Sequence, residues 1–256
     1  MKVDLQNLLE VAKESALAAG EEILRIYKSG NFSVEVKSDD SPLTKADKAA
    51  HNKIVSILEK TKIPILSEEG RDIPYLERSK WEYFWMIDPL DGTKEFIKKN
   101  GEFTVNIALI HAGKAILGVV YPPVIGELYW AIERNGAYKE RNNVVSRLST
   151  TKKELKESGV RVVASRSHMN EETEKYLGKF KDADIVSKGS SLKFLLVASG
   201  EADVYPRFAP TMEWDTAAAH AIVSEAGGQV VLEDGITPLT YNKQNLLNTS
   251  FIALPS

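Results

Sequence analysis

Asp88 and Asp91 stand three residues apart in Trp85-Met86-Ile87-Asp88-Pro89-Leu90-Asp91-Gly92-Thr93, where an apolar run gives way to a proline and then to a Gly-Thr step. Carboxylates so placed, with a backbone carbonyl between them, suit a hard divalent cation such as Mg²⁺, which takes oxygen ligands and keeps water and substrate phosphate as the remainder. Tyr83-Phe84-Trp85-Met86-Ile87 reads as a buried strand rich in aromatic and branched residues. Asp88 is therefore expected at its carboxyl end, where open α/β sheets place their chemistry. Pro89 fixes φ and donates no hydrogen bond, which turns the chain so that both side chains and the Leu90 carbonyl can converge. Thr93-Lys94-Glu95-Phe96-Ile97 can begin a helix whose first amides would favour a phosphate oxygen. Taken alone, Asp88-Pro89-Leu90-Asp91-Gly92 reads equally well as a solvated turn, because Asp, Pro and Gly favour turns for local reasons.

Two further acidic sites weigh against the plain turn. Ile63-Pro64-Ile65-Leu66 is a short apolar strand that ends in Ser67-Glu68-Glu69-Gly70, placing a second pair of carboxylates at a strand end. Glu213-Trp214-Asp215 opens a helix through Thr216-Ala217-Ala218-Ala219-His220 to Ala226, closed by Gly227-Gly228. Asp215 also reads as the N-cap of that helix. Carboxylates spread over strand ends and a helix start are what a two-metal phosphatase needs, since cations about 3.5–4 Å apart require a bridging carboxylate and others on either side.

Glu68-Glu69, Asp88-Pro89-Leu90-Asp91-Gly92-Thr93 and Trp214-Asp215-Thr216-Ala217-Ala218 resemble the three motifs of the inositol monophosphatase superfamily of Mg²⁺-dependent, lithium-sensitive phosphatases. The resemblance spans nearly the whole chain. Within that group, the segments from Asp88 to Ile97 and from Asn100 to Ile110, with Gly189-Ser190-Ser191-Leu192-Lys193-Phe194 and Tyr205-Pro206-Arg207-Phe208, look like the CysQ-type 3′(2′),5′-bisphosphate nucleotidases. One departure is visible: those nucleotidases usually carry a glycine where this chain has Ala219. Alanine is the better helix former, so the change is read as harmless unless backbone and ligand approach closely there.

Carried over residue by residue, the resemblance implies that Glu68, Asp88, the Leu90 carbonyl, Asp91 and Asp215 hold two to three Mg²⁺ ions, with Asp88 bridging. Thr93 and Asp47 match the positions that orient and deprotonate the attacking water, and Glu69 would stand behind Glu68. Asp47, three residues after Thr44, also reads as an ordinary first-turn acid favoured by the helix dipole. Substrate would touch Glu68, Leu90, Asp91, Gly92, Thr93, His168, Ser190, Lys193, Arg207 and Asp215. The implied reaction is hydrolysis of the 3′-phosphate of adenosine 3′,5′-bisphosphate to AMP. An inositol or fructose-1,6-bisphosphate phosphatase of the same superfamily, and a non-catalytic nucleotide-binding regulator on the same scaffold, stay open as alternatives.

A chain of 256 residues suits one large domain or two modest lobes. Its composition is that of a soluble globular protein, with 43% apolar and 27% charged residues, and a formal net charge of −3 argues against a general nucleic-acid binder. The partner expected is a small nucleotide bisphosphate, and a homodimer is compatible. With no cysteine, disulfides, thiolate nucleophiles and cysteine metal sites are all removed. The amino end lacks an apolar signal core and no run is long enough to cross a bilayer, so a cytoplasmic protein is expected, with peripheral membrane association left open.

Apolar positions from Leu5 to Ile26 recur at helical spacing up to Gly30, and a second helix follows Thr44. Phe103, Val105, Ile107 and Leu109 alternate as one face of a strand, and the segments to Tyr121, from Gly126 to Ile132 and through Asn135-Gly136 continue an antiparallel meander. From Arg161 onward strands and helices alternate: Arg161–Ala164, a helix near Tyr176, Asp184–Val186, a helix from Ser190, Asp203–Tyr205, the Asp215 helix and Gln229–Leu232. That pattern gives an α+β lobe over residues 1–148 and an α/β lobe over 149–256. The resemblance implies a five-layer αβαβα sandwich with the site between the lobes. Arg166, His168, Lys193 and Arg207 are the second-lobe candidates for facing that cleft, Lys193 and Arg166 reading equally as solvated charges. The resemblance implies that His168, Ser190, Lys193 and Arg207 contact the nucleotide and the phosphate that is not cleaved.

Overall fold

Helical spacing of apolar residues produces α1 (Leu5–Ser29), capped by Asp4, whose side chain accepts from the Gln6 and Asn7 amides, and closed by Gly30 at φ 71°. A two-residue antiparallel pair, β1 (Glu35–Val36) and β2 (Pro42–Leu43), leads into α2 (Lys45–Leu58), which starts at Thr44. The computed structural model describes residues 3–36, 42–151, 155, 158–164 and 170–256.

Seven strands follow in one sheet, in sequence order: β3 (Ile65–Ser67), β4 (Tyr83–Asp91), β5 (Thr104–His111), β6 (Lys114–Tyr121), β7 (Leu128–Ile132), β8 (Gly136–Arg141) and β9 (Val144–Arg147). Only β3 and β4 pair in parallel, and the rest form the expected meander. Two short helices interrupt it, α3 (Tyr75–Arg78) and α4 (Thr93–Ile97). The period-2 geometry of a strand sends alternate side chains to opposite faces. On β4, Trp85 and Ile87 enter the core beneath α1 and α2, while Phe84 and Met86 enter the core on the other side. Both faces are buried, so β5 is apolar except at Thr104, Asn106 and its last residue, the half-buried His111.

The remaining elements are β10 (Arg161–Ala164), α5 (Glu171–Leu177), β11 (Asp184–Ser187), α6 (Leu192–Ala198), β12 (Tyr205–Arg207), α7 (Glu213–Glu225), β13 (Gly228–Leu232) and β14 (Phe251–Pro255). β10 pairs in parallel with β11, β14 lies between β12 and β13, and a parallel bridge from Val162 to Val204 brings the two groups together. The layers run α1 and α2, the seven-stranded sheet, α6 and α7, the second set of strands, and α5, which packs on β12. This is the expected αβαβα sandwich. We propose a division of lobes at residue 148: β3 to β9 precede it and β10 to β14 follow it, although α7 from the later segment packs directly on the earlier sheet. No helix among the described residues is long and apolar enough to cross a membrane.

Three local expectations need correction. Asp88 does not end its strand: β4 continues through Pro89 to Asp91, and the register to β5 shifts between Asp88 and Asp91. Such an irregularity accommodates a proline inside a paired strand and re-aims the side chains around it. Asp215 is not an N-cap, because the helix starts two residues earlier with Met212 in the capping position. Tyr205 begins its strand rather than ending it, since β12 runs on to Arg207, and β14 was not anticipated at all.

α7 can lie flat on the sheet because its inner face is Ala217, Ala218 and Ala221 and because the strand beneath has a glycine. A Cβ at Gly118 would stand 2.1 Å from the Ala218 carbonyl oxygen and 3.0 Å from Ala221 Cβ. Overpacking of that kind costs about 1–3 kcal/mol or more. Gly118→Ala is therefore expected to lower the urea midpoint clearly, and an unchanged midpoint would show that α7 moves aside freely.

Candidate active site

Asp47 is the third residue of α2, and its two oxygens do different work. Oδ2 accepts the Thr44 amide at 2.7 Å, completing a capping box, while Oδ1 accepts Thr93 Oγ1 at 3.1 Å. The structural and functional readings of Asp47 thus belong to one side chain. Thr93 Oγ1 also lies 3.3 Å from the Leu90 carbonyl, which it reaches because Gly92 takes φ 96° at the start of α4. Burial raises the Asp47 carboxyl above the ordinary range against the hydrogen bonds from Thr44, and the nearby Glu69 charge adds to the rise.

Parallel pairing sets Ser67 of β3 opposite Ile87 of β4, and the Glu68 amide donates to the Ile87 carbonyl at 3.2 Å. That registration places Glu68 beside Asp88. Asp88 is 2% exposed, and its Oδ1 accepts the Leu90 amide at 3.0 Å across Pro89. Its pKa stands well above the usual value, first through burial and then through the charges of Glu68, Asp91 and Asp215. Asp215, in the first turn of α7, is raised in the same direction by burial, by Asp91 and by Glu68. Its Oδ2 accepts the Met212 amide at 2.8 Å. Among the described residues no three acidic or histidine side chains are drawn into a ready coordination shell. The internal hydrogen bonds of Asp88 and Asp215 hold each acid to its own backbone segment.

Next to these acids lies a cavity of about 140 Å³ lined by Asp91, Asp215, Ser190, Lys193, Arg207 and Glu95 among others. Lys193 is buried, and its Nζ donates to the Ser190 carbonyl at 2.7 Å and stands 5.6 Å over the Tyr205 ring. Burial brings its pKa down to about 8, partly opposed by Asp91. Arg207 donates from Nη2 to the Pro210 carbonyl at 3.1 Å, and its buried Nε has no hydrogen-bond partner among the described residues.

The expected residues therefore converge. Glu68, Asp88, Asp91 and Asp215 feel one another's charge, the Leu90 carbonyl and Thr93 adjoin them, and Asp91, Gly92, Ser190, Lys193, Arg207 and Asp215 line one cavity. His168 and Arg166 lie outside the described residues. Ser190, expected only as a substrate contact, also donates to Asp91 Oδ2 at 2.6 Å, from a backbone at φ 53°. Ala219 is buried in the core and is not part of the cavity lining, consistent with a harmless change. Sequence reading missed Thr104, Asn106 and Ser191, all buried around Asp91, and Glu95 at the cavity wall. Two polar residues inside the apolar run of β5 were the available signal, since buried polar groups need partners.

The sequence profile of the inositol monophosphatase family matches residues 4–253. The chain belongs to the inositol monophosphatase family. Within the family it is 46% identical over 251 residues to the 3′(2′),5′-bisphosphate nucleotidase CysQ of Salmonella typhimurium, covering 95% of this chain and 98% of that one. The crystal structure of CysQ from Bacteroides thetaiotaomicron superposes with a TM-score of 0.88 at 46% identity, covering 99% of both chains. The extragenic suppressor protein SuhB of Bartonella henselae superposes with a TM-score of 0.81 at 26% identity, covering 98% of this chain and 94% of that one.

Crowding of acids in this family member has a thermodynamic signature. A carboxyl whose pKa is raised by folding contributes stability below its unfolded pKa and loses it as pH rises through the folded value. In the presence of a chelator, Asp88→Asn is expected to be more stable than the parent at pH 8 by about 1 kcal/mol or more, roughly 2–4 °C in Tm for a chain of this size. The gap should close toward pH 4, where the parent's Asp88 holds its proton. A less stable Asn variant at pH 8 would show that the carboxylate is compensated within the protein itself.

Proposed function

We propose that this chain is a Mg²⁺-dependent 3′(2′),5′-bisphosphate nucleotidase that converts adenosine 3′,5′-bisphosphate to AMP and phosphate. One observation carries the reading: two of four mutually repelling acids, Asp91 and Asp215, line the same small cavity as a buried lysine and an arginine, in a chain 46% identical to CysQ enzymes. Sites of that composition suit an anion that brings cations with it. A buried carboxylate such as Asp88 needs a positive partner, and its neighbours are more carboxylates. The donor set is oxygen only, which fits a hard divalent cation.

Glu68, Asp88 and the Leu90 carbonyl would hold one ion, and Asp88, Asp91 and Asp215 another. Bound Mg²⁺ supplies Lewis-acid charge against the phosphoryl group and acidity to the attacking water. The chain's own contribution to the hydrolytic step is the Thr93–Asp47 pair. Thr93 Oγ1, donating to Asp47 Oδ1 at 3.1 Å, takes the proton of the attacking water as its own passes to Asp47. The P–O3′ bond breaks, the 3′-oxygen takes a proton from solvent as Asp47 gives up the one it received, and the products are AMP and inorganic phosphate. Burial keeps the Asp47 carboxyl above its ordinary pKa, which strengthens it as a base.

Lys193 and Arg207 would take the phosphate that stays. Arg207, whose buried Nε has no partner among the described residues, has a donor to offer it. A cavity of about 140 Å³ is small against the 300–1,000 Å³ of typical ligand sites, so it suits the phosphorylated sugar and leaves the base toward the opening. A cytoplasmic site of action, and small molecules rather than nucleic-acid polymers as substrates, belong to the same proposal.

Turnover of adenosine 3′,5′-bisphosphate, inositol 1-phosphate and fructose 1,6-bisphosphate under one Mg²⁺ condition tests the substrate class. The nucleotide should be preferred clearly, and a preference for either sugar phosphate refutes the nucleotidase reading. Asp91→Asn should lower turnover by about two orders of magnitude or more with the fold intact by circular dichroism; a near-normal rate at saturating Mg²⁺ would remove Asp91 from the metal set. Arg207→Ala removes a charged hydrogen bond worth about 1.5–3 kcal/mol. It should lower kcat/KM for the bisphosphate about 10- to 100-fold while sparing 3′-AMP, whereas equal losses on both would make Arg207 structural.

A further inference from the structure

Asp91 has one carboxylate oxygen that the protein itself occupies. Oδ2 accepts from Ser190 Oγ at 2.6 Å and from Ser191 Oγ at 2.9 Å, and Asn106 Nδ2 approaches it at 3.4 Å. A carboxylate oxygen offers two lone-pair directions, so three donors leave Oδ2 no direction for a cation. Asn106 Nδ2 also donates to Ser191 Oγ at 2.8 Å, and Thr104 Oγ1 donates to Asn106 Oδ1 at 3.1 Å. Thr104 Oγ1 lies 2.6 Å from Ser190 Oγ, so the same hydroxyl touches both arms of the network. Asn106 faces Asp91 and Ser191 with its amino group, the orientation in which it can donate to the carboxylate. The opposite orientation would set two acceptors against each other.

Ser191 reaches further. Its hydroxyl also lies 3.0 Å from the Asp215 carbonyl, linking the end of β4 to the first turn of α7 through the start of α6. Thr104, Asn106 and Ser191 are each no more than 1% exposed, the first two inside β5 and the third just before α6. Polar groups at that depth in a core are costly unless fully paired. Here each is paired, and the pairs lead to Asp91.

We infer that Thr104, Asn106 and Ser191 are positioning residues: they hold Asp91 by Oδ2 so that only Oδ1 faces the proposed cation, and through Ser191 they set the Asp91 carboxylate in a fixed relation to the first turn of α7. The inference rests on the metal reading proposed above. Outer-shell partners of metal-ligating carboxylates usually contribute 10- to 100-fold in affinity, and that is the size of effect expected here. Freed from its donors, Asp91 would rotate, and binding would weaken more than the chemistry at saturating ion.

The test uses Mn²⁺ alone, followed by electron paramagnetic resonance, on the metal-free full chain and on Asn106→Leu, with KM for Mg²⁺ and kcat measured in parallel. Asn106→Leu should bind Mn²⁺ about 10- to 100-fold more weakly and raise KM for Mg²⁺ by a similar factor, while kcat at saturating Mg²⁺ returns to within a few-fold of the parent. Unchanged Mn²⁺ affinity, whatever happens to Tm or kcat, overturns the inference and leaves the metal reading standing. A parent chain that binds no Mn²⁺ removes the metal reading and the inference with it. If Asn106→Leu does not fold, Thr104→Val, which keeps the shape and removes the hydroxyl, and Ser191→Ala are measured in its place and read by the same criteria.

Discussion

Repulsion among Glu68, Asp88, Asp91 and Asp215 is the constraint to which the rest of the structure answers. Four acids within each other's field, one of them almost wholly buried, destabilise the folded chain at neutral pH unless positive charge is brought in. The fold must therefore hold them together against their own electrostatics, which local structure alone does not do. Each acid is anchored by backbone: Asp88 by the Leu90 amide, Asp215 by the Met212 amide, Glu68 by the pairing of β3 with β4. Asp91 is the exception, anchored mainly by hydroxyls and an amide from neighbouring elements.

The layered architecture explains how these anchors meet. Two helices cover one face of the seven-stranded sheet with a large apolar core, and α7 covers the other with alanines laid against Gly118. The same helix carries Asp215 in its first turn, so packing of an inert small-residue face fixes the position of a charged end. Burial of apolar area provides the stability from which the acidic cluster subtracts. Strained or uncompensated elements persist in folded proteins only where surrounding structure over-determines them, and Ser190 at φ 53°, between the cavity and Asp91, fits that description.

Much of this was legible in the sequence. Helical spacing from Leu5 to Ile26 became α1, the alternating apolar run from Phe103 became β5, and the acids at Glu68, Asp88, Asp91 and Asp215 converged as the motifs implied. Boundaries set by tertiary pairing were harder to read. Pro89 suggested a strand stop, yet an irregular register carries β4 to Asp91, because β5 supplies partners on both sides of the shift. Asp215 resembled an N-cap because Asp is a common one, but Met212 takes that role and Asp215 closes the box from the third position. The relay through Thr104, Asn106 and Ser191 joins residues more than eighty positions apart, and no local pattern reports such a pairing. Thr104 and Asn106 gave the only hint, as polar residues in a strand otherwise built for a core.

The cationic wall made by Lys193 and Arg207 completes the electrostatics. Neither neutralises the acids outright: Lys193 is turned to backbone carbonyls, and Arg207 keeps a buried nitrogen without a partner among the described residues. A site with acids on one side and cations on the other is matched by a ligand that is itself an anion accompanied by metal. The most direct measurement is anomalous diffraction from crystals soaked in Mn²⁺. Peaks are predicted within coordination distance of Asp88, one shared with Glu68 and the Leu90 carbonyl and one shared with Asp91 and Asp215. Well-ordered carboxylates with no anomalous peak among them at saturating Mn²⁺ would contradict the proposal that this cluster exists to hold metal.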